Sequence, residues 1–202
     1  MKLYFTPGAC SMAPHIVLRE AGLPCTLQKV DLSKHQTDAG EDFYHINPKG
    51  YVPALQLDNG ELLTEVAVIL QYLADQKPAS GLSPKAGTMD HYRVIEWLNY
   101  ISSEVHKQIG PMFNPKITPE WKQVQMDTLA RRFDYLSQRL GGHEFLYGDR
   151  FTIADAYLFT VLNWTGFLNI DLGKWPPLRS YMAKIAARKG VSEAMREEGL
   201  VK

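Results

Sequence analysis

Cysteine is scarce: residues 10 and 25 are the only two in 202. That is too few for a framework of several disulfides, and a reducing, cytoplasmic compartment is the simplest expectation. Net charge is missing as well. The 22 Lys and Arg balance the 22 Asp and Glu, so no overall field draws the chain to nucleic acid or to an anionic membrane surface. Nor is there a long apolar run: the most apolar stretch, 154–168, is interrupted by Asp155, Asn163 and Thr165 and falls short of the roughly 18 uninterrupted residues a membrane span needs. The opening MKLYFTPGAC holds no secretory apolar segment. Its six histidines show neither His-Glu-x-x-His nor paired Cys-x-x-Cys spacing, which predicts no metal, and the glycine signatures of dinucleotide and triphosphate sites are absent too. What is present is ordinary for a globular chain, 45% hydrophobic and 22% charged.

The first third changes period over short distances. Lys2–Phe5 reads as a strand, Ser11–Ala21 as a helix closed by Gly22 and Pro24, and Thr26–Val30 as a second strand, which together make a βαβ unit. Val52–Leu57 and Glu61–Leu63 flank Asp58-Asn59-Gly60, where Asn-Gly supplies the positive φ angles of a tight hairpin turn. A helix over Glu65–Ala74 follows, with Thr64 placed to cap it. The order β-α-β, then β-β-α, predicts a small mixed sheet with helices packed on it. Pro, Ser and Gly then gather in DQKPASGLSP, which reads as a linker. The domains are expected at 1–77 and 86–202, with 78–85 between them.

Beyond the linker the apolar period becomes helical: Met89, Tyr92, Ile95, Leu98, Ile101, Val105 and Ile109 follow steps of three and four. Further helices are expected over Pro119–Leu140, from Thr152 to about Leu168, and over Pro177–Lys189, so the second domain is all-α. Thr152-Ile153-Ala154-Asp155 has the pattern of a capping box and reads as a helix start in the core.

Cys10 stands between a strand and a helix, at the mouth where unpaired N–H groups and partial positive charge help a thiol ionise. Ser11 as N-cap would make Pro14 the third helical residue. The alternative is a small thiol packed under the sheet. Position 13 is Ala, so no Cys-x-x-Cys pair exists; Cys25 reads as a core position, and a small thiol supplied from solution fits better than a Cys10–Cys25 bridge. Asn99, Ser103 and His106, spaced by four and three, share a helix face, which is either solvated or turned to a ligand. A histidine near a thiolate can orient or stabilise it.

These features, with Val52-Pro53, Thr64-Glu65 and the segment FTIADA at 151–156, resemble the glutathione S-transferases, and most of all their bacterial beta class. The likeness runs end to end through MKLYFTPGACS, NPKGYVPALQLDNGELLTE, IEWLNYISSEVHK and RFTIADAYLF. The resemblance implies an α/β plus all-α architecture, a thioredoxin-like βαβ-ββα domain with a C-terminal helical bundle. It further implies glutathione as co-substrate in the cleft between them, no metal, and a homodimer. Cys10 and His106 would meet the glutathione sulfur, and a cis Val52-Pro53 bond would turn the Val52 backbone to its cysteinyl part. Glu65 and the Val66 amide would hold the γ-glutamyl end, Asn99 and Ser103 would line the opposite wall, and Glu104 would lie near the partner subunit's site.

Two positions depart from the family pattern. Where relatives carry a Lys for the glycine carboxylate this chain has His35, with Lys34 one place back, so weaker or more pH-dependent glutathione binding is expected. Val66 replaces a small hydroxyl residue and costs one donor, worth about 0.5 to 1.5 kcal/mol. The leading expectation is conjugation of glutathione to small hydrophobic electrophiles, a detoxification role. The alternatives are thiol-disulfide transferase or peroxidase chemistry through a Cys10 mixed disulfide, and non-catalytic binding of glutathione or a hydrophobic ligand.

Overall fold

The computed structural model describes all residues 1–202. It divides into two compact units, Met1–Ser83 with Arg188–Lys202, and Pro84–Ala187. In the first unit the order is β1 (Lys2–Phe5), α1 (Met12–Ala21), β2 (Thr26–Asp31), β3 (Gln36–Thr37), α2 (Phe43–Ile46), β4 (Ala54–Gln56), β5 (Leu62–Thr64) and α3 (Val66–Gln76). The short β3 and α2 fall in the polar stretch that the sequence left unassigned.

The five strands lie in the order β3-β2-β1-β4-β5, with β1 and β2 parallel and the other pairs antiparallel. Parallel pairing of neighbouring strands demands a crossover, and α1 supplies it. The two-residue period of β1 then divides its side chains between faces. Tyr4 joins Val30, Phe43, Val52 and Ala54 on one face. Phe5 turns to the other, where its ring centroid lies 6.1 Å from that of His15 on α1. Gly22 closes α1 in the left-handed conformation, as its position predicted.

The hairpin differs from expectation in its turn. Only Gly60 has positive φ, at 90°; its N–H bonds to Leu57 O and the Leu57 N–H to Glu61 O. That is a type I turn followed by a glycine bulge, not a two-residue turn with both φ positive. Thr64 ends β5 instead of capping α3, and Glu65 occupies the N-cap without a side-chain cap bond. Cys25 is half-buried at the entrance to β2 rather than in the core, with its thiol donating to Thr26 O at 3.4 Å.

The second unit holds α4 (Met89–Tyr100), a π-helical segment (Ile101–His106), α5 (Lys107–Ile109), α6 (Pro119–Gly141), α7 (Ile153–Phe167) and α8 (Pro176–Ala186). The buried stripe of α4 begins with His91 and Val94, whereas Met89 and Tyr92 are exposed; from Leu98 to Ile109 the expected positions are buried. No helix is long and apolar enough to cross a membrane.

A final helix, α9 (Lys189–Glu197), corrects the domain boundary drawn from sequence, because Arg188–Lys202 belong with the first unit. It packs on α1. Gly190 permits this approach, since a Cβ there would come within 2.9 Å of the Glu20 backbone nitrogen, and Arg188 grips the Glu20 carboxylate with two nitrogens at 2.6 and 3.1 Å.

Candidate active site

Residues 6–11 carry the chain from β1 into α1. The Met12 and Ala13 amides donate to Ala9 O and Cys10 O at 3.0 and 3.2 Å, and Pro14, third in α1, has no N–H. The donors of the first turn are therefore used inside the loop, against the expectation that they point outward. Ser11 stands at the N-cap without capping; its hydroxyl accepts from the Thr6 amide at 3.1 Å and so closes the loop. Cys10 is half-buried, and its thiol donates to the Val52 carbonyl at 3.2 Å. The Val52-Pro53 bond is cis, so thiol and cis bond adjoin.

The loop is tied down from behind by residues the sequence reading passed over. Glu198, fully buried, accepts the Gly8 amide at 2.8 Å and meets His15 Nδ1 at 2.8 Å. The other ring nitrogen of His15 meets Glu197 at 2.7 Å, and Arg19 reaches the same carboxylate. A signal was available: His15 and Arg19, four apart on α1, face an adjacent pair of glutamates near the C terminus.

At the start of α3, Glu65 sits at φ 71° and ψ 120°. Such a conformation costs about 1 to 3 kcal/mol in a residue with a side chain and concentrates at functional sites. Its carboxylate accepts from Lys49 Nζ at 2.6 Å and Tyr51 hydroxyl at 2.8 Å, and Lys49 also donates to Thr64 at 2.9 Å. Donating to the Glu65 carboxylate raises the pKa of both Lys49 and Tyr51. Val66 is the first residue of α3 and is buried.

His35 lies apart from this group. Its Nδ1–H donates to Gly50 O at 3.1 Å, its Nε2 accepts the Tyr44 hydroxyl at 3.2 Å, and the two ring centroids lie 4.4 Å apart with the planes tilted by 31°. Both ring nitrogens of His35 thus have partners within the loop. Lys34 pairs with Asp31 at the surface. The ammonium group beside Glu65 is Lys49, in the segment NPKGYVPAL at 47–55.

In the helical unit Ile101–His106 is π-helical, which changes the angular step between Asn99, Ser103 and His106 from that of an unbroken α-helix. Asn99 and Ser103 are exposed and bond back to the carbonyls of Ile95 and Asn99. Glu104 pairs with Arg132 at 2.6 Å. His106 is the residue turned inward: Nδ1 lies 2.8 Å from the Tyr157 hydroxyl, and the ring packs edge-on against Tyr157 and Trp164. Burial, with a lesser contribution from Lys107, pushes its imidazole down to about 4. It is a neutral base at physiological pH, with hydrogen-bonding capacity but no charge.

Asp155 is structural, as its motif predicted. Fully buried, it accepts the Thr152 and Leu146 amides at 2.9 Å and the Tyr181 hydroxyl at 3.0 Å, and completes the capping box at the start of α7. Burial still raises its pKa against these bonds.

Family models for the glutathione S-transferase N-terminal and C-terminal domains match residues 8–76 and 100–189. The glutathione S-transferase GstA of Escherichia coli O157:H7 is 44% identical over 99% of this chain and all of its own. Among solved structures, a sphingomonad glutathione S-transferase complexed with glutathione is 45% identical with a TM-score of 0.96, covering both chains completely. The beta class enzyme of Sphingomonas chungbukensis is 44% identical with the same TM-score and the same full coverage. The thiol beside a cis-proline in a five-stranded mixed sheet, the helical second unit and these end-to-end likenesses converge, and the chain belongs to the glutathione S-transferase family.

Proposed function

We propose that this protein conjugates the glutathione thiol to small hydrophobic electrophiles as a cytoplasmic, homodimeric detoxifying enzyme. The observation that carries the reading is the Cys10 thiol held 3.2 Å from the Val52 carbonyl at the cis-proline, in a chain similar along its whole length to an enzyme solved with glutathione. Glutathione's cysteinyl backbone pairs with Val52, which releases the Cys10 S–H toward the glutathione sulfur. His106 meets the same sulfur. The γ-glutamyl ammonium goes to Glu65 and its carboxylate to the backbone at Val66, where a helix start favours an anion. Lys49 is the cation available to a glutathione carboxylate in place of the family lysine at position 35. Asn99 and Ser103 are further proposed glutathione contacts, and Glu104 is proposed to serve the partner subunit's site.

The chemical step is a substitution. The glutathione thiol gives its proton to solvent, the thiolate attacks the electrophilic carbon, and the bond to the leaving group breaks with its electron pair, releasing halide from a chlorinated nitroaromatic. Hydrogen bonds to the thiolate raise its fraction at neutral pH. A steady-state assay with glutathione and chlorodinitrobenzene tests this. A rate above the uncatalysed one is expected, and no excess rate with purified protein would overturn it.

A second reading has its own support in a half-buried cysteine where a hydroxyl would suffice for conjugation. The Cys10 thiolate attacks a mixed disulfide of glutathione, forming Cys10–S–S–glutathione and releasing the other thiolate; a second glutathione then regenerates Cys10 and leaves as oxidised glutathione. Intact mass after oxidised glutathione is expected to show a reducible adduct that Cys10→Ser lacks. Retention on glutathione resin without either activity would leave a binding protein.

A further inference from the structure

The helical unit holds one polar pair with no place yet in the chemistry, the His106 imidazole and the Tyr157 hydroxyl. Tyr157 is 2% exposed in the middle of α7. Its hydroxyl is 2.8 Å from His106 Nδ1, and a buried phenol demands such a partner. Trp164, seven residues on and therefore on the same face of α7, also packs edge-on against the imidazole. The ring centroids lie 5.9 Å from Tyr157 and 4.8 Å from Trp164, with interplanar angles of 88° and 74°. The imidazole is thus clamped in both position and rotation.

A neutral imidazole carries one ring proton, and the hydrogen bond at one nitrogen decides which nitrogen holds it. A phenol, with its ordinary pKa of about 10, is a far stronger acid than a neutral imidazole N–H, so the favoured bond has the hydroxyl donating to Nδ1. We infer that Tyr157 is a positioning residue that fixes His106 in the tautomer protonated at Nε2, making His106 a hydrogen-bond donor to the glutathione thiolate and not the base that removes its proton. This rests on the proposed meeting of His106 with the glutathione sulfur. The neutrality that burial imposes on His106 is what gives the tautomer its importance. In the opposite tautomer a nitrogen lone pair would face the sulfur and repel the thiolate.

Two measurements on the full-length protein test the inference. The first is two-bond proton–nitrogen correlation on nitrogen-15-labelled histidine near neutral pH, with His106→Asn to assign the signal. The expected result is an unprotonated Nδ1 and a protonated Nε2 in the wild type, and a shift of Nδ1 toward the protonated position in Tyr157→Phe. A protonated Nδ1 in the wild type, or no change in Tyr157→Phe, would overturn it. The second is thiolate absorbance of bound glutathione against pH, with steady-state kinetics. Tyr157→Phe keeps the ring and is expected to raise the bound thiol's pKa by about one unit. It is also expected to lower kcat roughly tenfold with KM for glutathione nearly unchanged. A fall in kcat in His106→Asn that Tyr157→Phe does not share would overturn the positioning role. If neither variant changes kcat or the bound thiol while the tautomer is as stated, the tautomer assignment stands and the proposed meeting of His106 with the sulfur fails.

Discussion

The buried imidazole of His106 makes the stability of this protein depend on mild acid in a calculable way. Its ordinary pKa is 6.5, and in the folded chain it falls to about 4 because burial penalises the charged ring. Above pH 6.5 the imidazole is neutral whether folded or not, so its contribution is fully present. As pH falls from 6.5 toward 4 the unfolded chain takes up a proton that the folded chain refuses, and stability is lost across that window. Integrating the proton difference gives a loss of about 2 kcal/mol by about pH 5 and about 3 kcal/mol once pH is below 4. Carboxylates with lowered pKa, such as Glu197, add their own acid losses, mostly at lower pH. His106→Asn removes the titrating ring, and the packing and Tyr157 bond lost with it weigh nearly equally at both pH values, so the difference in pH dependence isolates the imidazole's proton. Urea unfolding at about pH 7.5 and about pH 5 is expected to show the wild type losing about 2 kcal/mol more than the variant. Parallel losses in the two proteins would refute the reasoning, because they would mean that the folded ring takes its proton near the ordinary pKa.

Three further outcomes follow from the same geometry. Asp155→Ala strands two buried amides and the Tyr181 hydroxyl and is expected to cost about 3 to 5 kcal/mol in urea unfolding; a loss below 1 kcal/mol would mean that water replaces the carboxylate. Lys49→Ala removes an exposed, solvent-screened ion pair with Glu65, so the urea midpoint should barely move. The same variant should raise KM for glutathione about three- to tenfold with kcat little altered, and an unchanged KM would remove Lys49 from the binding group. The Cys25 thiol has its pKa raised by burial, so peptide-mapped alkylation near neutral pH should be slower there than with free glutathione, and faster modification would contradict that.

How far the fold could be read depended on whether the local signal had a single physical interpretation. Gly22 could close α1 only one way, because a left-handed cap favours a residue without a Cβ, and the capping box at Thr152 had its acceptor three residues on. The short β3 and α2 carried no period long enough to detect. Thr64 had the chemistry of a cap, but strand pairing with Ala54 kept it in β5. Asn59-Gly60 marked a turn correctly and its type wrongly, since two turns that share a glycine differ in hydrogen bonding set by the flanking strands. Cys10 and Glu65 were marked as candidates through motif position. Lys49 was missed because a lysine in a loop looks the same whether solvated or paired.

By itself the sequence determined the order β1-α1-β2 and then β4-β5-α3, the long helices α4, α6, α7 and α8, the place of the thiol at the end of β1, and the family. These follow from side-chain period, glycine and proline geometry, and motif spacing, all of which act within a few residues along the chain. Only the tertiary structure decided that Glu198 anchors the Cys10 loop, that α9 belongs with the first unit, and that His106 is neutral beside Tyr157. Those depend on atoms separated by 190, 168 and 51 positions in the chain, and burial, which sets the imidazole's charge, belongs to the packed molecule and to no local stretch of residues.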